Sequence, residues 1–270
     1  MAGMSEQSYA NGRLLVTRDG MVARITFNKP EKMNAMSLDM WQGLSDSLAS
    51  LAADDSIRVV ILCGAGDRAF VSGADISEFE SQRSSEEGVA AYNRISEAAD
   101  RALYDFPKPT IAEIKGYCVG GGMGLALGCD IRICAEDSKL GITAAKLGLG
   151  YGYDGVRKLM SVAGPEIAAQ ILYSARLFPA EVAQGMGLVS EVVPRADLAQ
   201  TVTDLATRIA QNAPKTVRTA KAAIRAIQEP DGAITRADVD ALVKDCFDSQ
   251  DYADGRTAFT EKRKPTFQDK

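Results

Sequence analysis

Histidine is absent from all 270 residues. That gap excludes Ser-His-Asp and Cys-His catalysis, His-ligated metals and every mechanism with imidazole as base or nucleophile. Acid–base work has to come from Asp, Glu, Tyr, Lys, Cys or bound water. Cysteine is scarce: Cys63, Cys118, Cys129, Cys134 and Cys246 are odd in number, and none forms a C-x-x-C pair. Free thiols in a reducing compartment are expected, with neither a disulfide framework nor a zinc site. No apolar run is long enough to span a bilayer, and no basic start leads into one. A cytoplasmic protein without a membrane partner is the expectation. An excess of positive charge is missing too: the net charge is −5, which speaks against a nucleic-acid partner. What is present in quantity is apolar surface, 46% of residues, enough for one substantial core or one domain with an appended lobe.

The first dozen residues, MAGMSEQSYANG, are small and polar and are expected to fray. Leu14–Thr17 and Val22–Phe27 flank Asp19-Gly20 and predict a hairpin. Ser37 predicts an N-cap for a helix through Leu51, with Met40, Leu44, Leu48 and Leu51 on one face. Ile57–Cys63 is a β-branched apolar run suited to a strand covered on both faces. A polar helix is expected from about Ser84 to Tyr104, then strands at Thr110–Ile114 and Ile131–Ala135. The glycine-rich stretch 140–155 fits no element. Beyond it the chain predicts helices at 156–163, 165–174, 179–186, 196–212, 214–228 and a last pair over 234–263, with a short edge strand near 192–194. This is a β/α core followed by a helical lobe.

Two glycine-bearing loops follow apolar strands. One is Ala69-Phe70-Val71-Ser72-Gly73-Ala74-Asp75-Ile76, the other Gly116-Tyr117-Cys118-Val119-Gly120-Gly121-Gly122. They are expected at one sheet edge, where α/β proteins bind ligands. Glycine lets backbone N–H groups approach a ligand oxygen closely, and two such donors would stabilise an oxyanion. The plainer reading is that the triplet makes a tight turn and close helix packing. Neither loop is a Walker A motif, and Gly120–Gly124 lacks dinucleotide-fingerprint spacing.

Six segments in order resemble the crotonase (enoyl-CoA hydratase/isomerase) superfamily across about residues 14–268. They are Asn28-Lys29-Pro30 with Met33-Asn34-Ala35, the S-G-A-D-I stretch at 72–76, and G-Y-x-x-G-G-G at 116–122. Gly128-Cys129-Asp130-Ile131, Gly185-Met186-Gly187-Leu188-Val189, and Gly255-Arg256-Thr257-Ala258-Phe259 with Glu261-Lys262-Arg263-Lys264 complete the set. The resemblance implies an α/β crotonase fold of repeated ββα units with a C-terminal helical region. It also implies a flexible N-terminus (1–12), a ββα core (13–195) and a helical trimerisation region (196–270), with homotrimers or hexamers as dimers of trimers. It implies an acyl-CoA thioester substrate, no further cofactor, no metal, and lyase or isomerase chemistry in fatty-acid metabolism. The N–H groups of Ala74 and Gly121 would form an oxyanion hole for the thioester. Lys32, Met33, Ala35, Ser72, Asp75, Ile76 and Gly122 would line the substrate path, and Phe259 and Lys262 would reach the coenzyme from a neighbouring subunit.

The chain departs from the family where hydratases carry two glutamates. Those positions hold Gly124 and Ala144, and no Asp or Glu lies between Lys139 and Tyr153. Without them the hydratase mechanism has neither general base nor general acid. Isomerase or decarboxylase chemistry, or a non-catalytic acyl-CoA binder, remain open. Two roles fit Asp154: a relocated acid–base group aided by Tyr151 or Tyr153, or the N-cap of a helix starting near Gly155. The tyrosines also fit as fillers of the volume left at Gly124 and Ala144. Glu113 and Lys115 share a strand face and predict an ion pair at a subunit interface. Trp41 and Cys118 are expected to be core residues.

Overall fold

The computed structural model describes residues 5–78 and 86–269. Eleven strands among them form two sheets. The larger has the order β1 (Ser5–Tyr9), β2 (Leu14–Asp19), β3 (Val22–Phe27), β4 (Val59–Gly64), β6 (Thr110–Ile114), β8 (Ile131–Ala135), β11 (Glu191–Val193). The smaller runs β10 (Phe178–Pro179), β9 (Lys139–Gly141), β7 (Tyr117–Val119), β5 (Ala69–Val71). β1 to β3 are antiparallel, and from β3 onward the large sheet is parallel.

Three parallel strands of the large sheet each lead into a short strand of the small one and then a helix. β4 and β5 precede α2 (Glu86–Tyr104), β6 and β7 precede α3 (Gly121–Gly128), and β8 and β9 precede α4 (Tyr153–Ser174). This is the expected ββα repeat. Before it, α1 (Leu38–Ala52) buries Met40, Trp41, Leu44, Leu48 and Leu51. After it come α5 (Ala180–Gly185), α6 (Leu198–Ala210), α7 (Pro214–Gln228), α8 (Arg236–Phe247) and α9 (Gln250–Glu261).

β4 explains its own composition. Val60 and Leu62 enter the main core with Trp41, Phe70 and Leu125. Val59 and Ile61 face the other way, against Leu198, Val202, Ala206 and Ala210 of α6. That spacing of four is one helical stripe. Burying each Val or Leu stabilises the fold by about 1.5–3 kcal/mol, and a strand buried on both faces loses its polar alternation.

Three expectations change. Residues 5–9 are not frayed: they pair in register with β2, and Tyr9 and Ala10 pack against Gly43 of α1. A polar, half-exposed edge strand has no apolar alternation to betray it. Ser37 occupies the N-cap position of α1 but bonds no backbone N–H; its hydroxyl donates to Asp39. The break expected at Gly164-Pro165 holds: Gly164, with φ 77° and ψ 169°, is not helical and divides α4 into two helical stretches across a kink. Glu113 finds its partner within the chain, the guanidinium of Arg24 on β3. The first residues of the helix expected from Ser84 lie outside the described residues. No helix of the described residues is long and apolar enough to cross a membrane, and no three or more Cys, Asp or Glu among them cluster as a metal-binding group.

Candidate active site

The two glycine loops leave β5 and β7, which are parallel neighbours in the small sheet. Their following residues therefore emerge side by side at one edge. The first loop is strapped to residues 33–36. Met36 N–H donates to the Gly73 carbonyl at 2.8 Å, and Asp75 N–H donates to the Met36 carbonyl at 2.9 Å. Ser72 N–H donates to the Met33 carbonyl at 3.1 Å. Ala74 sits between these bonds as the bridge partner of Met36, with its own N–H turned away.

The strap is held by Asn34, whose side chain accepts from Lys29 N–H and donates to the carbonyls of Ala65 and Ala69. Met33 and Asn34 are both left-handed, with φ of 51° and 56°. Such backbone is costly outside glycine and persists where the surroundings enforce it. The Met33-Asn34-Ala35 segment is thus the clamp that aims the first loop.

The second loop turns into α3. Gly120 takes φ 56° and ψ −115° as its N-cap, a conformation open only to glycine. A Cβ on Gly122 would stand 2.0 Å from the Val71 carbonyl oxygen, so α3 presses against β5. A Cβ on Gly121 would lie 3.8 Å from Ala74 N and 3.7 Å from Trp41 Cζ2. The two N–H groups are therefore neighbours. Neither has an acceptor among the described residues. Gly121 is also the first residue of its helix, where the backbone dipole favours negative charge. Trp41 forms the floor beside it and donates from Nε1 to the Tyr92 hydroxyl at 3.1 Å.

Lys32, Met33, Ala35, Ser72, Asp75 and Ile76 do converge, although unequally. Asp75 is buried and engages Lys29 Nζ at 2.7 Å and Lys32 Nζ at 3.0 Å. Its carboxylate also accepts from the Ser77 hydroxyl at 2.6 Å. Ile76 is exposed and Lys32 half-exposed at the rim, whereas Asp75 braces the loop from behind. Burial alone would raise the Asp75 pKa. Hydrogen bonds from Lys29, Ser77 and Lys32 outweigh it and hold the carboxyl well below the usual range. The unfolded group titrates near pH ~3.9, so the stability it contributes is complete above that pH and is lost as pH falls below it. Between pH 6 and pH 3 the unfolding free energy of the wild type is expected to fall more steeply than that of Asp75→Asn. Parallel slopes in urea titrations would contradict this.

Gly124, one turn after Gly121, faces Tyr151: a Cβ there would lie 3.6 Å from the phenol oxygen. A Cβ on Gly155 would lie 2.7 Å from Tyr151 Cε1, so the ring lies flat on that backbone. Ala144 sits in the short 3-10 turn Ala144–Leu147 and packs, like Tyr151, against the main core. Tyr151 thus takes up volume beside Gly124, as one reading of the sequence expects for that position. Burial pushes its phenol well above the usual range, and the charge of Asp100 adds to that. The phenol is neutral at ordinary pH and acts as a donor.

Asp154 does not cap the helix. The N-cap of α4 is Gly152; Asp154 stands in the first turn, 72% exposed, with its carboxylate 3.5 Å from Arg157. Gly155 and Lys158, three apart, share the inner face of α4, whereas the Asp154 carboxylate turns to Arg157 at the exposed start of the helix. Tyr153 is exposed. Cys118 is fully buried, and burial pushes its thiol far up, as expected of an inert core residue. Phe259 and Lys262 lie away from the loops. Phe259 is exposed on a cavity of about 690 Å³ between α7, α8 and α9, and Lys262 is the left-handed C-cap of α9. Sequence reasoning missed Asp100 and Lys158. Lys158 Nζ holds both oxygens of Asp100 at 2.6 and 2.5 Å, and Lys158 is buried.

The enoyl-CoA hydratase/isomerase family model matches residues 17–270. The chain belongs to the enoyl-CoA hydratase/isomerase family. Among family members, a short-chain-enoyl-CoA hydratase of Clostridium acetobutylicum is 33% identical, the match covering 93% of this chain and 95% of the relative. The 2,3-dehydroadipyl-CoA hydratase of Escherichia coli is 31% identical over 94% and 98%. A crystal structure from Magnetospirillum magneticum, described as an enoyl-CoA hydratase/carnithine racemase, superposes with a TM-score of 0.92. It is 38% identical, with 97% of each chain covered. The family fold and the two-loop edge thus agree with what the motifs implied.

Proposed function

We propose that the chain binds acyl-CoA thioesters and stabilises a thioester enolate through the N–H groups of Ala74 and Gly121. The observation that carries this reading is the pair of neighbouring, acceptor-free N–H groups at the end of β5 and the start of α3. The names of the relatives, all acting on CoA thioesters, support the substrate class. Lys32 and Ile76 at the rim face the coenzyme. Phe259, Lys262 and the exposed Phe247 and Tyr252 form the surface through which subunits assemble as trimers, alone or paired.

The reaction differs from water addition. Gly124 and Ala144 supply no carboxylate to activate water, and a neutral Tyr151 cannot abstract a proton. Loss of CO2 from a malonyl-type thioester forms the enolate without a base. The electrons of the breaking C–C bond pass to the thioester oxygen, which the two N–H groups hold. The α-carbon then takes a proton from a water held by the Tyr151 hydroxyl; the phenol re-protonates that water and is itself re-protonated from solvent. Double-bond migration needs a base and is disfavoured with Asp154 turned to solvent. The missing carboxylates also favour a second reading, a binder without turnover.

The test is turnover of malonyl- and methylmalonyl-type CoA in D2O. CO2 release with one deuterium at the α-carbon is expected, reduced about a hundredfold in Tyr151→Phe. Crotonyl-CoA hydration at comparable rate would overturn the decarboxylase reading, and tight binding with no turnover of any thioester would establish the binder.

A further inference from the structure

The packing of Tyr151 says something separate about the acyl group. Its ring rests on Gly155, where a Cβ would displace it, and its hydroxyl stands over Gly124, where a Cβ would just touch the phenol. Behind it lies the Asp100–Lys158 pair. Tyr151 precedes α4, but its ring meets Gly155, and Lys158 stands three residues further along the same face of that helix. Asp100 reaches the same place from α2. Tyr92 on α2 meets Trp41 beneath Gly121, and Leu103 meets Gly128 at the far end of α3. The two helices therefore run side by side, which sets Asp100 near the level of Gly124, where its charge acts on the phenol. Lys158 is buried and both oxygens of Asp100 hold its ammonium. An alkyl chain pushed against such a pair would strip its remaining water and offer nothing in return.

We infer that Tyr151, backed by Asp100 and Lys158, is the end wall of the acyl site and makes the protein selective for short acyl thioesters. Positions three apart on a helix, such as Gly121 and Gly124, are about 5–6 Å apart at their side chains. With C–C bonds of about 1.5 Å, an acyl group whose carbonyl sits at Gly121 has room for roughly four carbons before the ring. The inference rests on the acyl-CoA reading above and adds the length of chain accepted.

Competition binding with acetyl-, butyryl-, octanoyl- and dodecanoyl-CoA, with free CoA as reference, tests it. In an unwalled apolar pocket each added methylene tightens binding about fourfold, so octanoyl-CoA would bind about two orders of magnitude tighter than butyryl-CoA. The wall predicts that octanoyl-CoA binds no tighter than butyryl-CoA to the wild type. It also predicts that Tyr151→Ala shifts the preference towards octanoyl-CoA at least tenfold. A long-chain preference in the wild type, or an unchanged order in a folded Tyr151→Ala, would overturn it while leaving the acyl-CoA reading intact. If Tyr151→Ala does not fold, the wild-type series decides alone. Thioesters that bind no better than free CoA would overturn the acyl-CoA reading and this one together.

Discussion

Gly121→Pro is expected to lower kcat/KM on a thioester substrate by about 10²–10³-fold with little loss of stability. Removing one oxyanion donor costs about 3–4 kcal/mol of transition-state stabilisation. Proline removes the Gly121 N–H and sets a ring carbon where its hydrogen pointed. The scaffold tolerates it because residue 121 is the first of α3, a position proline favours, and a Cβ there meets nothing nearer than 3.7 Å. The preceding Gly120 has no Cβ to clash with the ring. A variant with an unchanged melting temperature and undiminished kcat/KM would show that the Gly121 N–H takes no part in catalysis.

Asp130→Ala is expected to destabilise the fold by about 3–5 kcal/mol. Asp130 follows the Gly128-Cys129 pair and is a junction between the sheet and α7. It accepts from Thr110 N–H at 2.8 Å, the Thr110 hydroxyl at 3.0 Å, Lys221 Nζ at 2.8 Å and Arg225 Nη2 at 2.9 Å. Lys221 is buried, and burial lowers its pKa while Asp130 opposes that shift. Without Asp130 the Lys221 ammonium keeps, among the described residues, the Lys108 carbonyl at 2.8 Å and the face of the Phe106 ring. The penalty is therefore the burial of an uncompensated charge, and it has a pH signature. The folded variant releases the Lys221 proton more readily than the unfolded chain, so the variant's deficit should shrink as pH rises towards the ordinary lysine range of about 10.4. A deficit that stays constant between pH 7 and pH 10 would assign the loss to the Thr110 hydrogen bonds instead.

Asp130 shows what the sequence discloses and what it withholds. As part of Gly128-Cys129-Asp130-Ile131 it stands out as a motif, but its partners Lys221 and Arg225 are about 90 residues away and carry no local signal. The same division runs through the fold. The β2–β3 hairpin, β4, β6 and β8 are legible because five or six residues suffice to display alternation or a continuous apolar run. β5, β7, β9 and β10 are two or three residues long and show no period. They become a sheet only by pairing with pieces far off in the chain, such as Phe178 with Leu140.

At the site, Ala74 and Gly121 are legible through the motifs that contain them, since glycine patterns record backbone demands directly. Gly124 and Ala144 are legible as absences. What stands beside Gly124 is not: Tyr151 is one of two nearby tyrosines, and only the depth of its packing against Gly155 separates it from the exposed Tyr153. Asp154 misleads for the complementary reason. An acid before a helix fits a cap or a catalyst equally well in sequence, and a shift of two residues in the helix start, to Tyr153, turns it outward.

The proposed oxyanion hole is tested most directly by the carbonyl stretch of a bound thioester. Butyryl-CoA labelled with 13C at the carbonyl should show, in an isotope-edited infrared difference spectrum, a lower stretching frequency when bound to the wild type than when free. Two N–H donors at the Ala74 and Gly121 positions polarise the bond in that direction. With Gly121→Pro the shift should shrink by about half or more. A bound carbonyl at the free frequency would contradict the assignment of these N–H groups to the thioester oxygen.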